Sequence, residues 1–217
     1  LVVRAVELLR RRAGVRSGGT LRLVKRIPTA AGLGGGSSDA AAALAAASAG
    51  WGLGWSWQEL AHLGAELGSD VPLFFAQGPA ICRGRGERVE PVAAFGTLHF
   101  VLVRPPVGLS TAAVYRGCAP GSPARQVQPL VEALARGDLG ELGRRLSNRL
   151  EPAAAALSPW IGRLRAEFEK TDCVGHQMSG SGSCWFGLCR HARHARRVAQ
   201  RLQVRGVGVA LAVRGCP

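Results

Sequence analysis

The chain has 217 residues, of which 47% are hydrophobic and 19% are charged, and this balance excludes a disordered chain. Its length suits one large domain or two small ones. The 28 lysines and arginines outnumber the 14 acidic residues, and the resulting net charge of +14 suggests nucleic acid or an anionic surface as a partner.

The first part of the chain alternates helical periodicity with glycine-rich turns. Its predicted elements, in chain order, are a helix over 1–13, a strand over 20–27, helices over 40–48 and 57–67, a short apolar segment over 73–76 and a hairpin over 80–92. Ser56 is the predicted N-cap of the helix that follows it. The segment from Pro28 to Asp39 carries too many glycines for a regular element, so we predict a loop there.

The second part is predicted to be rich in helices with strands between them. Its predicted elements are a strand over 98–103, helices over 127–136, 138–150 and 158–169, a strand over 183–189, a helix over 191–203 and a strand over 207–213. The composition changes near residue 96. We therefore predict an α+β protein of two lobes, with residues 1–95 and residues 96–217 as its domains.

The six cysteines include no Cys-x-x-Cys motif, which favours free thiols in a reducing cytoplasm. Cys184, Cys189, His191 and His194 have a spacing loosely like that of metal ligands. Positions five apart on a strand face opposite sides of a sheet, so we interpret this group as buried thiols beside surface histidines. The longest uncharged stretches are interrupted by glycine and serine, and we expect a soluble protein.

The strongest functional pattern is Gly32-Leu-Gly-Gly-Gly-Ser-Ser38. Glycines allow backbone N–H groups to turn toward a ligand, and a helix that starts here adds unpaired donors and the positive end of its dipole. The pattern predicts a cradle for a di- or triphosphate. It is not a Walker A loop, because no lysine precedes Ser37 or Ser38. A flexible linker is the alternative, which the flanking regular elements disfavour.

Asp70 is one of four aspartates and lies in a turn between Gly68 and Pro72. A carboxylate on a bent backbone can point into a cleft and accept the proton of a substrate hydroxyl. The alternative is an aspartate that caps local N–H groups of the turn. Asp39 is interpreted as a first-turn helix residue that complements the dipole.

A third pattern, Ser179-Gly-Ser-Gly-Ser183, precedes a predicted strand. By itself it is weak, because many tight turns have this composition. Its possible use is the close approach of backbone to a ligand.

These patterns, in this order, resemble the GHMP kinases, the family of galactokinase, homoserine kinase and mevalonate kinase. The resemblance rests on IPTAAGLGGGSSDAAAAL (27–44), LGSDVPLFF (67–75), MSGSGSCWFG (178–187) and, more loosely, NRLEPA (148–153). The triple glycine before SSDAA, together with GSDVP, favours the members that phosphorylate the 2-hydroxyl of a cytidine-diphosphate-linked methylerythritol in non-mevalonate isoprenoid biosynthesis. The resemblance extends over essentially the whole chain.

The resemblance implies an N-terminal lobe like domain 2 of ribosomal protein S5, incomplete here, and a ferredoxin-like C-terminal lobe. It also implies ATP and Mg²⁺ as cofactors. The implied ATP-binding residues are Lys25, Pro28, Thr29, Ala30, Ala31, Gly32, Leu33, Gly34, Gly35, Gly36, Ser37, Ser38 and Asp39.

Further roles are implied by the same resemblance. Asp70 would be the base that takes the proton of the substrate hydroxyl, and Ser38 would contact Mg²⁺. Tyr115 would stack on the cytosine ring, with a core aromatic as an equal alternative. Gly180 and Gly182 would line the substrate side of the cleft.

The chain departs from the family pattern at its start. Leu1 opens a helical pattern that matches a segment well inside the family, so we expect the chain to begin within a longer protein. The family's N-terminal strands, with a catalytic lysine and a Tyr-His pair that binds cytidine, have no counterpart here, and Lys25 sits at a different matched position. We therefore expect little activity from these residues alone.

Alternatives to this kinase are another GHMP small-molecule kinase, a truncated inactive homologue and a basic nucleic-acid-binding module. The last is disfavoured because the charge excess lies mainly in residues 1–26 and 190–205, and no aromatic residue is interleaved with the arginines of either patch. No membrane partner is expected. Whether the protein is a monomer or a homodimer does not follow from the sequence.

Overall fold

The computed structural model describes residues 1–76, 78–93, 96–119 and 126–215. Their internal contacts divide the chain into two units, which consist of residues 1–28 with 34–92, and of residues 29–33 with 93–217. Part of the glycine-rich segment thus belongs to the second unit, while the residues on either side of it belong to the first.

Helices form the core of the first unit. Its elements are α1 (Val2–Arg12), α2 (Gly35–Gly50), α3 (Trp57–Ala65), a 3-10 turn (Pro72–Phe75), β1 (Ala80–Arg83) and β2 (Arg88–Pro91). Leu9 of α1, Leu44 of α2 and Leu63 of α3 are buried together with the alanines of α2. Burial of these apolar side chains is the main stabilising contribution to the unit.

The start of α3 and the hairpin confirm two predictions. The Ser56 hydroxyl accepts a hydrogen bond from the Glu59 amide (3.2 Å), and the Glu59 carboxylate accepts one from the Ser56 amide (2.7 Å), so the two residues form a capping box. The bonds that the Ser56 amide and the Ser56 hydroxyl donate to the Glu59 carboxylate lower the pKa of Glu59 below its ordinary value. β1 and β2 pair antiparallel, with Ala80 opposite Pro91.

The strand predicted over 20–27 is wrong. No regular element includes these residues, and Val24 is 64% exposed. A strand needs a neighbour to receive its backbone hydrogen bonds, and none of the described residues pairs with this segment. Alternating hydrophobicity alone does not supply that neighbour.

The predicted loop from Pro28 to Asp39 is also wrong in its second half, because α2 begins at Gly35 and not at residue 40. Glycine and serine are poor helix formers, but Gly34 adopts φ +64° and directs the following residues into the helix. The short apolar segment predicted near residues 73–76 is a 3-10 turn over Pro72–Phe75.

The second unit contains an antiparallel sheet covered by helices. Its elements are β3 (His99–Arg104), α4 (Thr111–Arg116), α5 (Gln128–Arg136), α6 (Leu139–Arg145), α7 (Glu151–Leu157), α8 (Pro159–Glu169), β4 (Gly175–Met178), β5 (Trp185–Cys189), α9 (Ala192–Val204) and β6 (Val209–Arg214). The strand order is β4-β5-β3-β6, and each neighbouring pair is antiparallel. Val101, Phe168, Trp185 and Val198 are fully or almost fully buried in its core.

The strands and helices predicted for this unit are present, but three further elements occur and one helix is shorter than predicted. α4, α7 and β4 were not predicted, because each is short and has few residues to show a period. The helix predicted over 138–150 ends at Arg145. Asn148 accounts for part of that difference, because its Oδ1 accepts the Leu150 amide, which a continuing helix would bond to the carbonyl four residues earlier.

Acidic side chains pair with arginines in both basic segments. Glu7 accepts hydrogen bonds from Arg10 and Arg11, each at 2.9 Å, and these two guanidinium groups lower the pKa of Glu7 to about 2. In α9, Arg197 forms an ion pair with Asp172. The positive charge of each segment is therefore partly neutralised within the chain.

One prediction for the group of Cys184, Cys189, His191 and His194 is wrong. Cys184 and Cys189 are buried as predicted, and burial raises the pKa of Cys184 to about 11. His194 is only 2% exposed and not at the surface; its Nε2 lies 3.2 Å from a carboxylate oxygen of Asp172.

In the described ranges, no helix combines the length and apolar character needed to cross a membrane.

Candidate functional site

The N-terminus of α2 presents backbone N–H groups that have no acceptor among the described residues. Gly34 is the N-cap, and no side chain caps the helix. The Ser38 amide bonds to the Gly34 carbonyl at 2.9 Å, whereas no described acceptor takes the amides of Gly35, Gly36 or Ser37. These amides and the positive end of the helix dipole form a site suited to an anion.

Close packing explains why this turn is made of glycine. A Cβ on Gly34 would lie 2.7 Å from Cζ of Phe74, and a Cβ on Gly35 would lie 2.6 Å from Cγ2 of Ile27. Gly34 also has the positive φ that other residues rarely adopt. Any larger residue would therefore displace the backbone that carries the unpaired amides.

Lys25 lies beside the same turn. Its Nζ is 3.2 Å from the position that a Cβ on Gly35 would occupy, and it forms an ion pair with Asp39. The two side chains are only 28% and 21% exposed. The prediction that Asp39 is a first-turn residue is wrong, because the earlier start of α2 places it beyond the first turn, where it holds Lys25.

Asp70 occupies a turn closed by a hydrogen bond of 3.1 Å from the Val71 amide to the Gly68 carbonyl. Its carboxylate accepts a weak hydrogen bond from the Ser69 hydroxyl at 3.4 Å. Among the described residues no backbone amide and no basic side chain bonds to it, so it does not cap the turn. An exposed carboxylate without an ion-pair partner remains available to accept a proton.

The residues that follow Asp70 attach its turn to the rest of the first unit. Val71 is buried against Gly64, whose Cβ position lies 2.7 Å from Cγ1 of Val71. Phe74 packs on Gly34, the N-cap of α2. The turn that carries Asp70 and the unpaired amides of α2 are thus joined by direct packing.

In the second unit, residues 29–33 are held by their carbonyl groups. The Ala30 carbonyl accepts from the Leu109 amide (3.2 Å), the Ala31 carbonyl from the Cys184 amide (3.1 Å) and the Gly32 carbonyl from the Ser179 hydroxyl (2.9 Å). No described acceptor takes the amides of Ala31, Gly32 or Leu33. The segment therefore also carries N–H groups without a described acceptor, of which those of Gly32 and Leu33 belong to partly exposed residues.

Gly180 and Gly182 belong to the turn that holds this segment. Both have positive φ, and a Cβ on Gly180 would lie 3.0 Å from the carbonyl oxygen of Gly32. A Cβ on Gly182 would lie 2.8 Å from Sδ of Met178. Positive φ and close packing therefore explain why both positions are glycine, and the contact of these residues with a substrate stays a prediction.

Tyr115 of α4 is exposed. Because 62% of it is accessible, the alternative that it is a core aromatic is wrong, and its stacking on a base stays a prediction.

The hydroxyl of Ser38 donates a hydrogen bond to the Gly35 carbonyl at 3.0 Å, which leaves the lone pairs of the hydroxyl oxygen for another partner. An oxygen of this kind fits Mg²⁺, which takes much of its coordination from phosphates and water. Among the described residues no cluster of three acidic, histidine or cysteine side chains could hold a metal by itself.

The sequence patterns at 148–153 and 179–183 do not predict the contacts that hold the turn 179–182. Ser179 bonds to Gly32, the Ser181 hydroxyl lies 3.0 Å from that of Thr111, and the Asn148 amide bonds to the turn from another side. The local signals are the glycine and serine pattern over 179–183 and Asn148, which opens the segment NRLEPA.

The sequence of this chain is similar to those of known proteins. The chain matches the GHMP kinases N terminal domain over residues 1–78 and the GHMP kinases C terminal domain over residues 130–207. It is 45% identical over 203 residues to the 4-diphosphocytidyl-2-C-methyl-D-erythritol kinase of Pelotomaculum thermopropionicum. The matched region covers 93% of this chain and 71% of that protein. It is 41% identical over 201 residues to the kinase of the same name from Shouchella clausii, with 92% and 67% covered.

Solved structures show the same relationship. A crystal structure of 4-(cytidine 5'-diphospho)-2C-methyl-D-erythritol kinase has a TM-score of 0.83 and 38% identity, with 100% of this chain and 78% of that chain covered. Homoserine kinase from Cytophaga hutchinsonii shares the fold, with a TM-score of 0.77 at 19% identity over 99% of this chain and 75% of its own. The predicted α+β fold and the predicted resemblance are confirmed, and the chain belongs to the GHMP kinase family.

Proposed function

We propose that this chain transfers the γ-phosphoryl group of ATP to the 2-hydroxyl of 4-diphosphocytidyl-2-C-methyl-D-erythritol. The observation that carries the proposal is 45% identity over 93% of the chain to a kinase named for this substrate. Family membership establishes an ATP-dependent small-molecule kinase. The identity of the substrate rests on the relatives.

The unpaired amides support the phosphate-binding part of this function. In the proposed ATP loop, residues 28–39, the amides of Gly35, Gly36 and Ser37 lack acceptors in the first unit, and those of Ala31 and Gly32 lack acceptors in the second. Backbone donors of this kind bind phosphate oxygens without a lysine in the loop itself. The ammonium of Lys25 adds positive charge beside the start of α2.

Asp70 is the proposed base. As the substrate oxygen attacks the γ-phosphorus, its O–H bond breaks and the proton passes to the carboxylate of Asp70, while the bond from the phosphorus to the departing ADP oxygen breaks. The exposed carboxylate has no ion-pair partner among the described residues, so it is free to accept this proton. The turn packs against the start of α2 through Phe74, so Asp70 and the unpaired amides of α2 belong to the same unit, which supports this assignment.

Further residues are proposed to hold Mg²⁺ and the cytidine end of the substrate. When bound, Mg²⁺ would neutralise charge on the phosphates, and Ser38 would hold it through a hydroxyl oxygen. Tyr115 is exposed enough for one face of its ring to stack on cytosine. Gly180 and Gly182 would line the substrate side of the cleft.

The described cysteines are free thiols, and this supports the proposal that the protein works in a reducing cytoplasm.

The proposal is tested by incubating the purified chain with ATP, Mg²⁺ and the proposed substrate and following ADP release and the new phosphate ester by ³¹P NMR, at high protein concentration and over long times because we expect only low activity from these residues alone. Asp70→Asn should remove turnover and retain ATP affinity, because the side chain keeps its size and loses its basicity. Asp138→Asn is the matched control, since Asp138 caps α6 and asparagine caps equally well. Full turnover by Asp70→Asn would overturn the role of Asp70. Turnover of homoserine or mevalonate in place of this substrate would overturn the substrate assignment.

A further inference from the structure

Asn148 lies between α6 and α7 and uses every polar atom of its side chain. Its Nδ2 donates to the carbonyl of Met178 at 2.9 Å and to the carbonyl of Gly180 at 2.7 Å. Its Oδ1 accepts from the amide of Leu150 at 2.9 Å. One amide group thus joins the start of α7 to the end of β4 and to the turn that follows.

The turn 179–182 is the part of the second unit that holds residues 29–33. The Ser179 hydroxyl bonds to the Gly32 carbonyl, and the Cys184 amide bonds to the Ala31 carbonyl. Gly180 comes so close to Gly32 that a Cβ would lie 3.0 Å from its carbonyl oxygen. A displacement of the turn would therefore move the backbone of Ala31 and Gly32.

The chemistry at this position suits asparagine. Two carbonyl oxygens and one amide surround the side chain, and they require two donors and one acceptor at short reach. Aspartate would keep the acceptor for Leu150 but would place a carboxylate against two carbonyl oxygens. Alanine would leave all three backbone groups without this partner, and the loss is most costly for the carbonyl of Met178, because that residue is buried.

We propose that Asn148 is a positioning residue for the phosphate-binding loop. Its amide fixes the turn 179–182, and the turn fixes the backbone of Ala31 and Gly32, whose N–H groups are kept free for phosphate. The assignment of that loop to ATP rests on the proposed function. The coupling of Asn148 to Ala31 and Gly32 rests only on the hydrogen bonds within the second unit.

The test compares Asn148→Asp with Ser158→Ala in the 217-residue chain. Asn148→Asp keeps the bond from Leu150 and removes both donors to the turn. Ser158→Ala removes a different cap in the same unit, the bond of 3.3 Å from the Trp160 amide at the start of α8. Three quantities are measured for each variant: the midpoint of thermal unfolding, the ATP dissociation constant by calorimetry, and the hydrogen-exchange rates of the Gly182 and Cys184 amides by NMR.

For Asn148→Asp we expect exchange at Gly182 and Cys184 to accelerate about tenfold or more and the ATP dissociation constant to rise about tenfold. Ser158→Ala should lower the unfolding midpoint and leave both other quantities unchanged. Asn148→Ala is the second variant, and it should show the same exchange pattern if the aspartate variant folds poorly. Asn148→Gln should not restore the wild-type values, because its longer side chain shifts the donors.

Two results would overturn the proposal. The first is unchanged exchange at Gly182 and Cys184 in folded Asn148→Asp and Asn148→Ala. The second is an equal acceleration in Ser158→Ala, which would show a general loss of stability. If the unmodified chain binds no ATP, the proposed function fails on that point, while the exchange rates still decide whether Asn148 positions the turn.

Discussion

The hydroxyl of Ser179 donates a hydrogen bond of 2.9 Å to the carbonyl oxygen of Gly32, a residue 147 positions earlier in the chain. Through this bond the second glycine-rich pattern supports the first. The carbonyl of Gly32 is occupied, whereas its amide has no acceptor among the described residues. The side of the peptide that can bind an anion is therefore left for a ligand.

Ser179→Ala should weaken ATP binding. The change removes one hydrogen bond to Gly32, which is worth about 1 kcal/mol and corresponds to roughly a fivefold rise in the ATP dissociation constant measured by calorimetry. Thr171→Val is the control, because it removes a hydroxyl bond of 2.6 Å to the Phe168 carbonyl, a residue outside the loop. An ATP affinity equal to that of the unmodified chain would contradict the supporting role of Ser179.

Gly34→Ala should destabilise the first unit and abolish ATP binding. The residue has φ +64°, and its Cβ would lie 2.7 Å from Cζ of Phe74, so strain and overlap together should cost about 2–3 kcal/mol in the free energy of unfolding. Gly50→Ala is the matched control at the other end of α2. Its Cβ meets nothing within 4 Å, and we expect a neutral or slightly stabilising effect in chemical denaturation. A stable Gly34→Ala variant that binds ATP normally would contradict the account of this turn.

Lys25→Met should weaken ATP binding through the loss of charge near the start of α2. We expect the dissociation constant to rise about threefold to tenfold, and the difference from the unmodified chain to shrink at high salt. The chain offers a matched control in Lys170, its one other lysine, which pairs with Glu167 at 2.7 Å. Lys170→Met should leave the affinity unchanged. Equal effects of the two substitutions would indicate a general response to net charge.

Glu7→Gln should reduce the stability of the chain in a pH-dependent way. The pKa of Glu7 is lowered from 4.5 to about 2 by the guanidinium groups of Arg10 and Arg11. A lowered folded-state pKa means that the carboxylate stabilises the fold above the ordinary pKa, and that this contribution is lost as the pH falls toward 2. The difference in denaturation midpoint between the variant and the unmodified chain should therefore be present at pH 7 and absent below pH 2. A difference that persists in acid would show a cause other than these ion pairs.

The functional patterns were predictable from the sequence because each is carried by a few neighbouring residues. The run of glycines from Gly34 to Gly36 predicts a phosphate cradle, Ser56 predicts the start of α3, and the order of three motifs predicts the family. Capping, turn formation and helical periodicity depend on residues within about one or two turns. The sequence alone therefore determined the family, the α+β class and the proposed roles of the phosphate loop and Asp70.

Only the tertiary structure decided where the boundaries and supports lie. Residues 20–27 alternate like a strand but form none, because a strand depends on a neighbour for its hydrogen bonds. Asp39 holds Lys25 beyond the first turn of α2, and Asn148 and Ser179 support a segment more than a hundred residues away. Contacts between distant segments depend on how the whole chain packs, and no local period or motif contains that information.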